Sequence, residues 1–182
     1  SPPHLRIDGD IVPMDYEDLT PAQTEAFARG IMNEAQWETF GDVPEMDLSL
    51  GVSGVGRFRV NCFRQRGSIG IVLRHVSNPE FSFSDLNLPE SIRKLSEMPR
   101  GMTLVTGMTR AGKSTTLAAI INHINLTRKC HIVTIEDPIE FLHHDQRSII
   151  NQREVGFDTM NFNDALRHVL RQSPDVILIG EM

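Results

Sequence analysis

Eight consecutive residues near the middle of the chain have the types and spacing of a phosphate-binding loop. They read Gly107-Met-Thr-Arg-Ala-Gly112-Lys113-Ser114, which fits the pattern G-x-x-x-x-G-K-[ST]. A phosphate chain needs many close donors, and a backbone interrupted by glycines lets successive N–H groups converge on it. We expect Lys113 to reach the β- and γ-phosphates and to assist catalysis, and the Ser114 hydroxyl to bind Mg²⁺.

The loop predicts ATP and Mg²⁺ as cofactors, and it lies between a predicted strand and a predicted helix, as this mechanism requires. The helix adds the positive end of its dipole to the phosphate site. The alternative for the same pattern is a structural glycine-rich turn. The residues expected to contact the nucleotide are Gly107, Met108, Thr109, Arg110, Ala111, Gly112, Lys113, Ser114 and Thr115.

Three carboxylates follow the predicted strand His131–Ile135: Glu136, Asp137 and Glu140. At the carboxyl end of a parallel strand beside the phosphate loop they would face the phosphates and Mg²⁺, because ligands of open α/β sheets bind there. One of them could orient or deprotonate the attacking water. By themselves these acids are also typical of a solvated loop, and the phosphate loop is what favours a functional interpretation.

A further acid, Glu181, follows the apolar strand Val176–Ile179 and Gly180. A carboxylate at such a strand end can hold Mg²⁺ through water or polarise the nucleophile. The alternative is a solvated acid. The candidate metal ligands are therefore Ser114, Glu136 and Glu181.

Strands and helices alternate after Pro99, which places these residues in an α/β fold. The predicted strands are Met102–Thr106, His131–Ile135 and Val176–Ile179, and helices are expected from the loop to about Asn125 and over Asn161–Gln172. Strands this apolar indicate a parallel sheet covered on both faces.

The residues before this alternation predict a smaller α+β unit. Leu5–Ile7 and Asp10–Val12 flank an Asp8-Gly9 turn, a hairpin signal. One or two helices are expected over Pro21–Phe40, and the strands that follow are Met46–Val52, Arg57–Phe63 and Ile69–Val76. The domains are predicted as residues 1–78, a linker over 79–98 that encloses a short helix, and 99–182.

Composition excludes several classes of protein. The net charge of −6 argues against a general binder of nucleic acid or of anionic membranes. The longest unbroken apolar run, Leu117–Ile121, is far shorter than the ~20 residues that span a bilayer. Two cysteines cannot form a disulfide framework, so a reducing cytoplasm is the expected compartment.

The motifs resemble the secretion ATPase superfamily, and within it the type IV pilus retraction (twitching motility, PilT-like) ATPases. The resemblance rests on the phosphate loop and on six other stretches, and it covers nearly the whole chain. Those stretches are Thr134–Phe141, Asn151–Val155, Pro174–Met182 and Arg57–Asn61 with Gln65 and Gly67, together with Pro2-Pro3 and Ile7–Asp10.

This resemblance implies a PAS-like N-terminal domain, a RecA-like P-loop core, a hexameric ring and ATP hydrolysis that powers pilus retraction. Glu140 matches a candidate general base of the family's Asp box, and Glu181 matches the Walker B glutamate. Arg57, Arg59 and Arg74 match N-domain arginines that reach the nucleotide of a neighbouring subunit. Their alternative is a solvated basic face that balances the acidic residues 1–50, whose net charge is −9.

The resemblance also implies partners and a location. They are other copies of the chain, a platform protein of the pilus machinery in the inner membrane, and a paralogous retraction ATPase, but no nucleic acid. The expected location is cytoplasmic, peripheral at the inner membrane. The family continues past the Walker B glutamate with a His box and a helical region. Residues 1–182 are therefore expected to be a fragment with an incomplete core, and hydrolysis by this fragment alone is not implied.

Two departures from the family and two competing functions stay open. The family usually has Pro at Met108 and Gly-Ser or Gly-Thr at Arg110-Ala111, and a glycine there suggests positive φ at residue 110. Motors for pilus extension or type II secretion often carry a four-Cys zinc module, whereas no Cys-x-x-Cys occurs here, which favours retraction. A P-loop scaffold that binds nucleotide without hydrolysing it is the second alternative.

Overall fold

The computed structural model describes residues 1–76, 78 and 81–180, and the chain divides into two units, Ser1–His75 and Val76–Met182. The first unit opens with the predicted hairpin. Strands β1 (His4–Ile7) and β2 (Asp10–Pro13) are antiparallel, with Ile7 opposite Asp10. The two turn residues, Asp8 and Gly9, have φ of 50° and 97°, the left-handed pair that a two-residue hairpin turn requires.

Two capped helices follow, in agreement with the sequence pattern: α1 (Pro21–Ile31) and α2 (Glu34–Asp42). Each begins with a capping box, formed by Thr20 with Gln23 and by Asn33 with Gln36. In such a box the cap side chain and the side chain three residues later satisfy each other's backbone N–H groups, which fixes where the helix starts.

A three-stranded sheet completes the first unit. Its strands are β3 (Glu45–Val52), β4 (Gly56–Gln65) and β5 (Ser68–Val76), each within a few residues of a predicted strand. Their order in the sheet is β3-β4-β5. Side chains alternate between the two faces, and one face packs against the helices. The buried residues of this core are Ala28, Met32, Phe40, Leu48, Val60, Cys62 and Ile69.

In the second unit a parallel sheet lies between two helices, which confirms the predicted two-faced sheet. Its strands are β6 (His131–Glu136), β7 (Ile149–Glu154) and β8 (Val176–Ile179), in the order β7-β6-β8. The helices of this unit are α3 (Glu90–Ser96), α4 (Lys113–Thr127) and α5 (Phe162–Val169). Ile132 packs with α4, whereas Val133 and Ile135 pack with α5 on the other face.

The predicted strand Met102–Thr106 is wrong, because the structure forms no strand over these residues. The described sheet has the order β7-β6-β8, and residues 102–106 are not part of it. Met102 and Leu104 are 82% and 57% exposed, so the apolar residues that predicted a buried strand are not buried. Strand β7, in contrast, was not predicted from the sequence and is present.

Helices α3 to α5 are short or only moderately apolar. No helix in the described part of the chain is both long enough and apolar enough to cross a membrane.

Candidate functional site

The loop that precedes α4 has the backbone of an anion-binding nest. Arg110 and Gly112 are left-handed, with φ of 65° and 89°, whereas Ala111 between them is not. Alternation of this kind turns successive N–H groups toward one side. The positive φ suggested for residue 110 is confirmed, although an arginine occupies the position.

The first turn of α4 leaves its backbone donors open. Its N-cap is Gly112, and no side chain caps the helix among the described residues. Helices α1, α2 and α5 each have a side-chain cap, from Thr20, Asn33 and Asn161. The open N–H groups at the start of α4, together with the helix dipole, therefore remain available to an anion.

Lys113 folds back over the same loop. Its ammonium donates to the carbonyl oxygens of Gly107 and Met108, at 2.9 and 3.0 Å. The cation is thus held against the loop by two neutral acceptors. A phosphate oxygen would be a stronger acceptor than either, because charge-assisted hydrogen bonds are roughly twice as strong as neutral ones.

These features fit a nucleoside polyphosphate with Mg²⁺. Converging N–H groups and one fixed cation suit the phosphates, and the half-buried Ser114 hydroxyl follows directly in the first turn. Within the described ranges no three His, Cys, Asp or Glu side chains cluster as a metal cage. Mg²⁺ does not need one, since it is usually held by one or two protein oxygens plus phosphates and water.

The topology brings the phosphate loop and the carboxyl end of β6 to the same edge of the sheet. Helix α4 and β6 are joined by only three residues, 128–130, so they run antiparallel. Ile124 packs against Ile132. From this contact α4 runs back about 16 Å to Lys113, and β6 runs about 13 Å in the same direction to Glu136.

Glu136 is held by several donors at that edge. Its Oε1 accepts from Thr134 Oγ1 at 2.6 Å and from Gln152 Nε2 at 3.2 Å. Burial raises the pKa of this carboxyl, while the bonds from Thr134 and Gln152 and from the backbone N–H of Glu140 oppose the rise. The end of β8 lies beside it, because a Cβ on Gly180 would stand 3.2 Å from the Cα of Glu136.

The residues after Glu136 form a loop, residues 137–143, which we call the acidic loop. Asp137 and Glu140 are exposed on it. Between them Ile139 is 1% exposed, and its backbone N–H donates to Glu154 Oε2 at 3.0 Å. The acidic loop is therefore anchored by a buried apolar residue and presents two acids to solvent.

Sequence reasoning missed two residues that contact this loop, Gln152 and Glu154 of β7. Gln152 bonds to Phe141 and His143 of the loop as well as to Glu136. The available signal was two polar residues two positions apart at the end of a parallel strand, but β7 itself was not recognised.

His143 is the last residue of the acidic loop. Its ring is largely buried, and Nδ1 has no hydrogen-bond partner in the described part of the chain. Burial, helped by the neighbouring His144, lowers the pKa of His143 to about 4. The loop turns this ring inward while His144 stays exposed.

The three arginine candidates lie in the first unit. Arg57 and Arg59 are two positions apart on β4 and so share a face, and Arg57 Nε donates to Ser49 Oγ at 2.7 Å. Arg74 is exposed on β5. Glu181, the remaining catalytic and metal candidate, lies outside the described residues.

Similar proteins are known. Residues 45–182 match the model of a family described as type II/IV secretion system protein. The whole chain is similar to the type IV pilus retraction ATPase PilT of Pseudomonas aeruginosa, with 45% identity over 181 residues and 53% of that protein covered. It is also similar to the type IV pilus ATPase PilU of the same organism, with 43% identity and 47% of that protein covered.

A crystal structure of the pilus retraction motor PilT with bound ADP matches the whole chain at a TM-score of 0.91 and 48% identity, over 53% of that structure. The chain thus spans about half the length of the relatives to which it is similar.

Proposed function

The chain belongs to the type II/IV secretion system protein family, and on that premise we propose that it is part of an ATP-hydrolysing motor that powers type IV pilus retraction. The observation that carries this proposal is the left-handed loop before an uncapped helix, with Lys113 held over it. The whole-chain similarity to PilT, a pilus retraction ATPase, supports retraction as the movement that the motor drives.

In this proposal each site residue has its own task. Lys113 exchanges its bonds to the loop carbonyls for bonds to the β- and γ-phosphates, and the backbone of residues 107–115 holds the rest of the phosphate chain. Ser114, Glu136 and Glu181 hold Mg²⁺, partly through water. When bound, Mg²⁺ neutralises charge that develops on the transferred phosphoryl group.

Glu140 is the proposed general base. It is exposed, so it can reach a water molecule, and its neighbours in the acidic loop are anchored. A general base must stand within hydrogen-bond reach of the proton that it takes. Glu136 is occupied by donors from Thr134 and Gln152, which favours Glu140 over Glu136 for this role.

The proposed organisation follows the family. Residues 1–78 form a PAS-like domain, residues 79–98 a linker, and residues 99–182 the first part of a RecA-like core. Six copies form a ring in which Arg57, Arg59 and Arg74 stabilise charge on a neighbour's nucleotide. The motor acts in the cytoplasm at the inner membrane, where a platform protein and a paralogous retraction ATPase are its partners.

The test is ATP turnover by the whole protein, followed by pilus retraction in cells. We expect the wild-type protein to hydrolyse ATP. The Glu140→Gln variant should lose turnover and keep its nucleotide affinity, since a general base acts in the chemical step. Glu25→Gln, an exposed glutamate of α1, is the matched control and should behave as wild type.

Each alternative function has its own outcome. Nucleotide binding without turnover in the wild-type protein would identify a scaffold. Cells that lack the protein should assemble pili that no longer retract, whereas cells without pili would identify an extension motor.

A further inference from the structure

Two side chains of β7 hold the acidic loop from one side. Gln152 and Glu154 are two positions apart, so they share a face of the sheet. They stand beside Thr134 and Glu136, their register partners on β6. Both reach from this face into the acidic loop, although 9 to 15 residues separate the bonded partners in sequence.

Gln152 uses both ends of its amide. Nε2 donates to the carbonyl oxygen of Phe141 at 2.9 Å and to Glu136 Oε1 at 3.2 Å, and Oε1 accepts from the backbone N–H of His143 at 2.7 Å. A carbonyl oxygen can only accept and an N–H can only donate, so these partners fix which way the amide points. One side chain therefore ties Glu136 to two points of the loop backbone.

Glu154 anchors the loop on the other side of Glu140. Glu154 is buried, with 2% of the residue exposed, and its carboxylate accepts from the backbone N–H of Ile139. Its own backbone N–H donates to Asp158 Oδ2 at 2.8 Å, which holds the end of β7 in place. Glu140 thus lies between two anchored neighbours, Ile139 bound by Glu154 and Phe141 bound by Gln152.

We propose that Gln152 and Glu154 are positioning residues that fix the backbone on both sides of Glu140 and so set where its carboxylate stands. The inference rests on the proposed function, in which Glu140 activates water. Neither side chain is part of the phosphate loop or of its helix. Their effect is on the chemical step, because a misplacement of about 1 Å at a reacting group can cost ~100-fold in rate.

The experiment compares Gln152→Met with wild type in the whole protein. Met keeps the length of the side chain and removes all three hydrogen bonds. We expect kcat to fall about ten- to a hundredfold, with KM and the Kd for a fluorescent ADP analogue unchanged within about twofold. Gln146→Met, an exposed glutamine close in sequence, is the matched control and should leave kcat unchanged.

Hydrogen exchange measured on the same variants reports the position of the loop without any turnover. In Gln152→Met the peptide that contains residues 137–143 should exchange faster, while the peptides of the phosphate loop and of α4 keep their wild-type rates. In Gln146→Met both regions should exchange as in wild type.

The outcomes separate this inference from the proposed function. Equal kcat in wild type and Gln152→Met would overturn the positioning role alone. A fall in nucleotide affinity and melting temperature along with kcat would assign Gln152 to folding and also overturn it. A wild-type protein without turnover would overturn the proposed function, and the inference with it.

If Gln152→Met fails to fold, a second variant tests the same role. Gln152→Glu keeps the size of the side chain and the acceptor for His143 but removes both donors, and the same fall in kcat is expected. If both variants misfold, the side chain serves folding and the inference is overturned.

Discussion

Arg110 holds a backbone conformation that disfavours any residue with a Cβ, at the point where the loop departs from its family. Its φ is 65°, and its side chain is exposed. In Arg110→Gly the backbone strain disappears and the guanidinium beside the phosphate site is lost. The two losses act on different states, the first on the free protein and the second on the nucleotide complex.

The expected size of each effect follows from this geometry. A left-handed residue with a Cβ destabilises the folded state by about 1–2 kcal/mol. Glycine removes this strain but lowers stability by about 0.5–1 kcal/mol, because it adds conformational freedom to the unfolded chain. The net gain in stability is about 0–1.5 kcal/mol, and its midpoint of about 0.75 kcal/mol corresponds to roughly 1.5–3 °C in melting temperature. Loss of a charge-assisted contact of about 1.5–3 kcal/mol weakens ADP binding about ten- to a hundredfold.

The assay measures the melting temperature of the free protein and the dissociation rate of a fluorescent ADP analogue. Arg66→Gly is the matched control, because Arg66 is also left-handed, at φ 47°, in the turn between β4 and β5. It should melt higher by a similar amount and release ADP at the wild-type rate. If Arg110→Gly melts no higher and holds ADP as tightly as wild type, the side chain points away from the phosphates and the reasoning fails.

Two further predictions concern protonation and metal. The folded protein holds the pKa of His143 at about 4, below its ordinary 6.5, so the unfolded chain binds more protons between these values and stability falls as pH drops through them. The loss should reach about 2 kcal/mol between pH 8 and 5, measured by urea unfolding. His143→Gln should be clearly less sensitive to pH, and the exposed His144→Gln only slightly less sensitive than wild type, because burial is the larger cause of the shift; equal pH dependence in His143→Gln and wild type would contradict it. Glu181→Gln in the whole protein should raise the Mg²⁺ concentration for half-maximal turnover, and an unchanged Mg²⁺ dependence would remove Glu181 from the metal site.

Local signals predicted local structure well. The Asp8-Gly9 turn, the two capped helices and the buried strand His131–Ile135 are each determined by residues within a few positions. The family's glycine at position 110 was enough to predict a left-handed residue. In each case the responsible interaction is a backbone preference or a short-range hydrogen bond.

The features that were missed depend on contacts distant in sequence. Met102–Thr106 has the composition of a strand, yet strand formation needs a partner edge, which no sequence window contains. Strand β7 is polar toward its end because Gln152 and Glu154 face the acidic loop rather than solvent. The burial of His143 follows from the same loop, so only the folded chain reveals it.

The most direct test of a nucleotide site at residues 107–115 is titration of Lys113→Ala with a fluorescent ADP analogue. Removal of the cation that bonds to Gly107 and Met108 should weaken binding at least about ten- to a hundredfold, since such contacts contribute about 1.5–3 kcal/mol each. Lys129→Ala, an exposed lysine beyond the other end of α4, should bind as wild type does. Wild-type affinity in a folded Lys113→Ala variant would contradict the assignment of this loop as the phosphate site.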